Sequence, residues 1–277
     1  MADAGIRDIF LPYNIFGATK LQRLMRLAHR TNLSVTVDSS LTVSGLSNAA
    51  QAAGVACSVL VEIDTGLKRC WVQSPQAAEL AFKTADLPRL QFDGVKTYPT
   101  SAATDTFVSE MRELVEPAGI TIERVSGGTP GMWQAHLLPQ VNKHLAGTYV
   151  CGDRCILKSG AMQLEECAFT IITTVVSRPT AERGFVDGGS KTFSLDLLGL
   201  EGHGLLLEYP TARFYAQSEE HGFVDFSERE SPPVIRDRLT VIPNHCCVVS
   251  NLFNAIVSVR RDRVEVVWPV VARGALQ

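Results

Sequence analysis

Several features that would direct a protein to nucleic acid or to a membrane are missing from these 277 residues. The net charge is −3, so no general affinity for nucleic acid is expected. No apolar run is long enough to span a bilayer, and residues 1–8 lack the basic and apolar regions of a signal peptide. Repeats and low-complexity stretches are also missing. We therefore expect a cytoplasmic protein with neither a nucleic-acid nor a membrane partner.

The cysteines lack the arrangement of a disulfide framework and that of a closed zinc site. There are 7 of them, scattered along the chain, and an odd, scattered set fits free thiols in a reducing compartment. A closed structural zinc site needs four ligands, yet no second Cys/His pair of zinc-finger spacing accompanies His245 and Cys247. A metal at this pair would therefore sit in an open site that water or a ligand completes.

The pair lies in residues 243–247 (PNHCC), between two apolar runs, and this context predicts the end of an extended strand. In an extended chain His245 and Cys247 would face one side and Cys246 the other. An imidazole beside a thiol suits a borderline-soft cation such as Zn²⁺. The alternative is a buried histidine with two small cysteines on a core strand, and spacing alone leaves both open.

Two sequence patterns divide the chain between residues 157 and 158. Residues 1–157 alternate strand and helix patterns, which predicts a parallel sheet with helices outside it. The strands are expected at residues 9–11, 33–38, 57–64, 92–97, 120–125 and 147–150, and the helices at 20–29, 44–53, 74–84, 104–118 and 130–144.

Residues 158–277 instead show short strands separated by Gly, Pro and Asp turns, which is typical of an antiparallel β domain. These strands are expected at residues 167–177, 184–189, 193–195, 204–208 and 214–215 and in a final hairpin at 256–267.

A glycine loop, residues 126–131 (SGGTPG), joins an expected strand to an expected helix. Thr129 can cap that helix, and Pro130 fits its first turn. Glycines let a ligand approach the backbone, and a helix N-terminus attracts anions. The loop is thus a candidate phosphate site, with a plain tight turn as the alternative.

Charged residues also follow the expected strand at residues 57–64. In a βα barrel, functional groups gather at the carboxyl ends of the strands, so Asp64 and Arg69 are candidates. An exposed charged loop is the alternative. Tyr98 and Tyr149 follow other strands and could be either ligands or core residues.

Taken together and in this order, these segments closely resemble the D-threonine aldolase and D-serine dehydratase family, whose fold is similar to that of alanine racemase. The matching stretches are residues 61–70 (VEIDTGLKRC), 125–131 (VSGGTPG), 147–150 (GTYV), 176–179 (VSRP), 186–191 (VDGGSK), 218–222 (SEEHG), 243–247 (PNHCC) and 268–274 (WPVVARG). They cover nearly the whole chain.

The resemblance implies an α/β fold, namely an incomplete TIM-type (β/α) barrel over residues 1–157 followed by a β domain over residues 158–277. It also implies a pyridoxal 5′-phosphate cofactor beside a divalent metal (Zn, or Mn or Mg). By the same resemblance, His245 and Cys247 are the metal ligands. The residues implied at the cofactor are Arg69, Ser126, Gly127, Gly128, Thr129 and Tyr149.

The implied activity is that of a lyase acting on a small-molecule D-β-hydroxy amino acid, and the assembly implied by the resemblance is a homodimer. Retro-aldol cleavage to glycine and an aldehyde is the first choice, and residues 268–274 favour it. Dehydration of D-serine is the alternative, and a non-catalytic metal-binding or interaction protein is the rival from another class.

The sequence departs from the family in two places. Residues 94–101 (GVKTYPTS) keep Tyr98 but not the family's Gly-His. The Schiff-base lysine stretch of the family (Arg-Pro-His-x-Lys-Thr-His-Lys) has no match here, so no catalytic residue is assigned. Three explanations stay open: a fragment or misassigned start, a degenerate paralogue, and replacement by Lys68 or Lys96.

Overall fold

The computed structural model describes residues 1–70, 72–128, 138–228 and 231–275. The chain divides into two compact units, Met1–Ala146 and Gly147–Gln277. The domain limits at residues 157 and 158 fall within the second of these units. Within the described ranges, no helix is both long and apolar enough to cross a membrane.

The first unit is a parallel sheet whose strand order follows the chain, from β1 to β6. Its strands are β1 (Asp8–Asn14), β2 (Asn32–Val37), β3 (Cys57–Ile63), β4 (Leu90–Thr97), β5 (Arg124–Gly127) and β6 (Lys143–His144). The helices between the first five strands are α1 (Ala18–Ala28), α2 (Ser40–Ala53), α3 (Ser74–Asp86) and α4 (Ala102–Val115). The α/β fold class predicted from the sequence, with an incomplete TIM-type barrel, is confirmed by this sheet.

Local chemistry explains where these helices begin and end. The Ser39 hydroxyl accepts the Thr42 N–H at 3.3 Å and caps α2, which ends at Gly54 with a φ of 69°. Ser101 and Thr104 form a capping box at the start of α4. The start and end of α2 and the start of α4 are therefore set by local residues.

The two faces of the parallel sheet differ in polarity. Side chains alternate between faces along a strand. One face carries the buried residues Val35, Val61 and Val125, which belong to the hydrophobic core shared with the helices. The opposite face carries buried polar residues, among them Glu62 and Lys96. The hydrophobic core therefore lies between the sheet and the helices, and the polar face of the sheet lies on the other side, away from this core.

Two predictions in the first unit are wrong. The last full strand is β5 (Arg124–Gly127), not residues 120–125. The helix predicted over residues 130–144 does not extend through 138–144, where a turn leads into β6 (Lys143–His144). Residues 129–137, and with them Thr129 and Pro130, lie outside the described part of the chain.

The second unit is built on an antiparallel sheet, as predicted. The sheet has the order β10-β11-β8-β7-β12-β9. Its strands are β7 (Ile171–Ser177), β8 (Arg183–Val186), β9 (Gly204–Leu206), β10 (Arg213–Gln217), β11 (Gly222–Asp225) and β12 (Arg238–Pro243). The His203 N–H, just before β9, donates to the Phe214 carbonyl of β10 at 2.9 Å, so the sheet curls toward a barrel. Its interior is a core of its own, which contains Phe214 and Val224.

The sheet is accompanied by short helices and a hairpin. The helices are α5 (Arg154–Lys158), α6 (Ser190–Phe193) and α7 (Cys246–Ser250). The predicted final hairpin is confirmed as β13 (Ala255–Arg260) and β14 (Arg263–Pro269). Arg261 and Asp262 form its turn with φ values of 48° and 62°. Positive φ at both central positions suits the twist of a two-residue hairpin.

Two strands predicted in this region are wrong. Thr148–Val150 is a turn of 3₁₀ helix, so Tyr149 does not lie on a strand. The segment predicted as a strand at residues 193–195 begins with Phe193, the last residue of α6, whose ring is buried against Phe214 with 5.1 Å between centroids. An apolar residue that anchors a one-turn helix gives the same local pattern as a short strand.

Candidate active site

A line of polar side chains crosses the inner, polar face of the parallel sheet. Glu62 of β3 pairs in register with Lys96 of β4, and Lys96 pairs in register with Ser126 of β5. Residues paired in register point to the same face. All three lie near the carboxyl ends of their strands, where βα barrels hold their functional groups.

Lys96 and Glu62 form a buried ion pair. Lys96 is 2% exposed and Glu62 is 4% exposed. The distance from Lys96 Nζ to Glu62 Oε1 is 2.5 Å, and Arg69 Nη2 lies 3.6 Å from the same oxygen. A buried charge must be paired, because an isolated one loses its hydration without compensation. One carboxylate here is shared by two cations.

The ion pair lines a cavity of about 390 Å³ in the first unit. Its other walls include Tyr13 and Asn14 at the end of β1, Arg69, and Tyr98. The Arg69 guanidinium lies over the Tyr98 ring, 5.8 Å from its centroid. A cavity of this size with a few convergent polar groups is a typical small-ligand site.

Ser126 contributes a polar atom that still lacks a partner. Ser126 is 1% exposed, and its Oγ has no hydrogen-bond partner among the described residues. The same holds for the Asn14 Oδ1 atom, which belongs to the cavity wall. Buried polar groups are normally satisfied, so these two atoms fit a site that holds a polar ligand.

Gly127 and Gly128, both predicted at the cofactor phosphate, have a packing reason to be glycine. A Cβ on Gly127 would overlap the Thr100 hydroxyl, and one on Gly128 would come within 2.7 Å of the Leu145 carbonyl oxygen. The Gly128 carbonyl accepts the Thr100 N–H at 3.1 Å. The close approach of Thr100 and Leu145 therefore explains why both positions are glycine, whether or not a phosphate binds there.

The predicted metal pair lies in the second unit, at the start of α7. The extended strand predicted through Cys247 is wrong: β12 ends at Pro243, His245 is the N-cap, and α7 begins at Cys246. Cys246 is buried and Cys247 is exposed, so the first helical turn points the two thiols in different directions.

Asp153, which is distant in sequence, holds this turn through hydrogen bonds to His245 and Cys246. It is fully buried, at 0% exposed. Its Oδ2 accepts the Cys246 N–H at 3.0 Å and lies 3.1 Å from His245 Nδ1, and its Oδ1 accepts the Ile156 N–H at 2.9 Å. One carboxylate therefore caps α5 and α7 and fixes the imidazole, leaving Nε2 turned away from the carboxylate. Metal-ligating histidines commonly have such a carboxylate partner.

The charges of the pair follow from these contacts. Hydrogen bonds that the imidazole donates to Asp153 and Cys247 raise the pKa of His245 to about 10. Hydrogen bonds from Cys246 and His245 lower the pKa of Cys247 to about 4. The hydrogen bond with Cys151 and burial raise the pKa of Cys246. Cys247 is thus the thiolate of the site, the form that binds metals.

The metal pair has a limited set of neighbours. Thr148 Oγ1 lies 3.9 Å from Cys247 Sγ, and Tyr149, the next residue, is 47% exposed. In the part of the chain that the structure describes, no group of three or more His, Cys, Asp and Glu is arranged to hold a metal ion. His245 and Cys247 can therefore supply two ligands of an open site.

Sequence reasoning missed Glu62 and Asp153 altogether and named Lys96 only, with Lys68, as a replacement for the absent lysine. A signal for Glu62 and Lys96 was present, since each interrupts an apolar run (Val61-Glu62-Ile63 and Val95-Lys96) at the end of successive strands. Asp153 gave no such signal, because its three partners depend on contacts formed across the fold.

Comparison with known proteins agrees with this architecture. Residues 2–128 match the family described as "Alanine racemase, N-terminal domain", and residues 168–259 match the "Putative serine dehydratase domain". The chain is 29% identical over 304 residues to the 3-hydroxy-D-aspartate aldolase of Paracoccus denitrificans, covering 99% of this chain and 75% of that protein.

Two further similarities cover almost the whole chain. The D-threonine aldolase of an Arthrobacter species is 29% identical over 290 residues, with 98% of this chain and 75% of that protein covered. The crystal structure of D-threonine aldolase from Filomicrobium marinum superposes with a TM-score of 0.87 at 26% identity, covering 100% of this chain and 79% of that one.

Proposed function

We infer the function from one premise: the chain belongs to the D-threonine aldolase and D-serine dehydratase family, with its alanine racemase-like fold. We propose that it is a lyase of D-3-hydroxy amino acids that uses pyridoxal 5′-phosphate and a divalent metal. Its reaction would be retro-aldol cleavage of the Cα–Cβ bond to glycine and an aldehyde. The observation that carries this proposal is the match of 98–99% of the chain to two relatives named as aldolases of such substrates.

The inner face of the parallel sheet fits the proposed cofactor. When bound, pyridoxal phosphate supplies an electron sink for the pair of electrons left on Cα. Ser126 Oγ, buried and unpaired among the described residues, is available to a phosphate oxygen. Arg69 would stand at the ring, beside Tyr98. We further assign Gly127, Gly128, Thr129 and Tyr149 to the cofactor from the family resemblance.

The start of α7 fits the proposed metal. A divalent metal supplies a Lewis acid for the substrate hydroxyl. His245 would bind through Nε2 while Asp153 holds Nδ1, and Cys247 would bind as a thiolate. With only two ligands from this turn, water or substrate oxygens would complete the coordination, as in other catalytic sites.

The direct test is product analysis. Purified protein with pyridoxal phosphate and Mn²⁺ or Zn²⁺ is expected to convert D-threonine and 3-hydroxy-D-aspartate to glycine and the corresponding aldehyde, but not the L-isomers. Glycine release from neither substrate with any of Zn²⁺, Mn²⁺ and Mg²⁺ would refute the aldolase.

The metal assignment has a matched set of variants. His245→Ala and Cys247→Ala should each abolish tight Zn²⁺ binding, measured by calorimetry on the apo-protein. Cys246→Ala should retain it, because this thiol is buried whereas that of Cys247 is exposed. Equal loss in all three variants would show that the turn, and not the named pair, holds the ion.

A second candidate activity is dehydration, as in a D-serine dehydratase. The match of residues 168–259 to a serine dehydratase domain favours it. The same incubation separates the two, since dehydration releases ammonia and a 2-oxo acid and cleavage releases glycine. Metal binding without either product would instead indicate a non-catalytic metal-binding protein.

A further inference from the structure

Lys96 differs from every other lysine of the chain in its environment. All seven lysines lie in the described ranges, and Lys96 is the one that is buried, at 2% exposed. Burial of an ammonium group is unfavourable, and lysine is rarely placed inside a protein without a role.

The buried amine faces a cavity. Lys96 Nζ is held 2.5 Å from Glu62 Oε1, and both side chains line the cavity of about 390 Å³ together with Tyr13, Asn14, Arg69 and Tyr98. A purely structural ion pair gives little net stability over apolar residues of the same volume. A pair at the wall of a ligand-sized cavity is therefore better explained by what enters the cavity.

The neighbours of Lys96 suit an amine that reacts. Nζ is removed from bulk water, and its partner is a carboxylate that can accept its proton, as the formation of a C=N bond by an amine requires. Arg69 Nη2 lies 3.6 Å from the same carboxylate oxygen that holds Lys96. Glu62 is positioned to accept a proton from Nζ, and Ser126, next to Lys96 in register, has an Oγ that lacks a partner in the described chain.

We propose that Lys96 Nζ is a carbonyl-reactive amine that condenses with a small aldehyde bound in this cavity. Glu62 takes one proton from the ammonium group, and the neutral amine attacks the carbonyl carbon. A C=N bond forms, and the carbonyl oxygen leaves as water with the two remaining Nζ protons. No oxidant or reductant is needed.

The choice of aldehyde rests on the proposed function. Pyridoxal phosphate carries an aldehyde, and retro-aldol cleavage releases one, so both occur where this reaction runs. The cavity volume is in the range of small-ligand sites. The reactivity of Lys96 itself depends only on its burial, its carboxylate and the cavity.

The test is chemical labelling of the unmodified protein. The chain is incubated with pyridoxal 5′-phosphate, treated with borohydride to reduce the C=N bond, and digested for mass spectrometry. Modification of Lys96 should exceed that of each other lysine by about tenfold at limiting reagent. Equal or greater modification of an exposed lysine, or none at Lys96, overturns the proposal.

Two variants check the assignment. Lys96→Arg keeps a cation beside Glu62 but cannot form the C=N bond, so the label at this position and the absorbance of the reduced adduct should both be lost. Lys68→Arg, an exposed lysine on the loop after β3, should label as the wild type does. An undiminished adduct absorbance in Lys96→Arg refutes the proposal, as does the same loss in Lys68→Arg.

Lyase assays on the same preparations separate this proposal from the proposed function. Selective labelling of Lys96 without turnover of any D-3-hydroxy amino acid supports a reactive amine and rejects the lyase. Turnover without labelling of Lys96 retains the lyase and rejects this role for Lys96.

Discussion

The substitution Asp153→Ala should strongly destabilise the second unit. It removes acceptors from the Ile156 and Cys246 N–H groups and from His245 Nδ1, all at 2.9–3.1 Å. Each buried donor left without a partner costs about 1–3 kcal/mol, so the two N–H groups alone should lower the free energy of unfolding by about 2–6 kcal/mol. Native-state hydrogen exchange of the β7 and β12 amides, whose ladder hydrogen bonds the substitution leaves in place, measures it, because it resolves one unit of a two-unit chain.

Asp153→Asn is the matched comparison. It keeps the volume of the side chain but places an amide NH₂ group where one carboxylate oxygen accepted. Either the Ile156 N–H or the two partners of Oδ2 therefore lose their acceptor, which should lower the free energy of unfolding by about 1–3 kcal/mol. Asp237→Asn, on an exposed turn where Oδ2 accepts the Val234 N–H at 2.8 Å, should change stability by only about 0.5 kcal/mol. An Asp153→Ala effect as small as that of Asp237→Asn would refute the reasoning.

The effect of Asp153 should depend on pH with a defined sign. Burial raises its pKa, but hydrogen bonds from His245, Ile156 and Cys246 lower it more, below the usual 3.8. Its contribution is therefore complete above 3.8 and is lost as the pH falls through the folded pKa. The raised pKa of His245 makes that residue's contribution complete below 6.5, and it is lost as the pH rises through about 10. The difference in the free energy of unfolding between wild type and Asp153→Asn should therefore be largest between pH 3.8 and 6.5.

One chemical treatment, alkylation of Cys247, and one substitution, Gly127→Ala, provide two further tests. In the metal-free protein, the alkylation rate of Cys247 by iodoacetamide should stay nearly constant between about pH 6 and pH 8, because its pKa is about 4. A tenfold rise for each pH unit, measured by peptide mapping, would contradict a thiolate, and buried Cys246 serves as the internal control. Gly127→Ala should lower the free energy of unfolding by about 1–3 kcal/mol, since its Cβ would overlap the Thr100 side chain. Urea denaturation checks this, and exposed Gly147→Ala, where a Cβ meets no atom within 4 Å, is the control.

The parts of the fold that the sequence predicted are those set by local patterns. The apolar run of β3 has both faces covered, and the β13–β14 hairpin is marked by charges at its turn. The strand predicted through Cys247 failed for a physical reason. The Asp153 carboxylate accepts the Cys246 N–H and so stabilises a helical turn, and no pattern within residues 243–247 reveals an acceptor so distant in sequence.

The candidate site was predictable to a similar extent. His245 and Cys247 could be named from their residue types and their motif, and Ser126 from its place after an apolar strand. The Glu62 and Lys96 pair could not be named from the sequence, because these two residues become neighbours through the register in which β3 pairs with β4. Register in a parallel sheet is fixed by packing against helices, which a single sequence does not display.

The division of the parallel sheet into an apolar and a polar face has a consequence for how this scaffold can change. Val61 and Val125 anchor the strands to the helices, whereas Glu62, Lys96 and Ser126, one position further along, face the opposite way. Substitutions on the two faces share few contacts, so their effects on stability and on ligand preference should add nearly independently. New chemistry can be selected at the inner positions while the outer positions keep the strands in place, provided that Glu62 and Lys96 are exchanged as a pair.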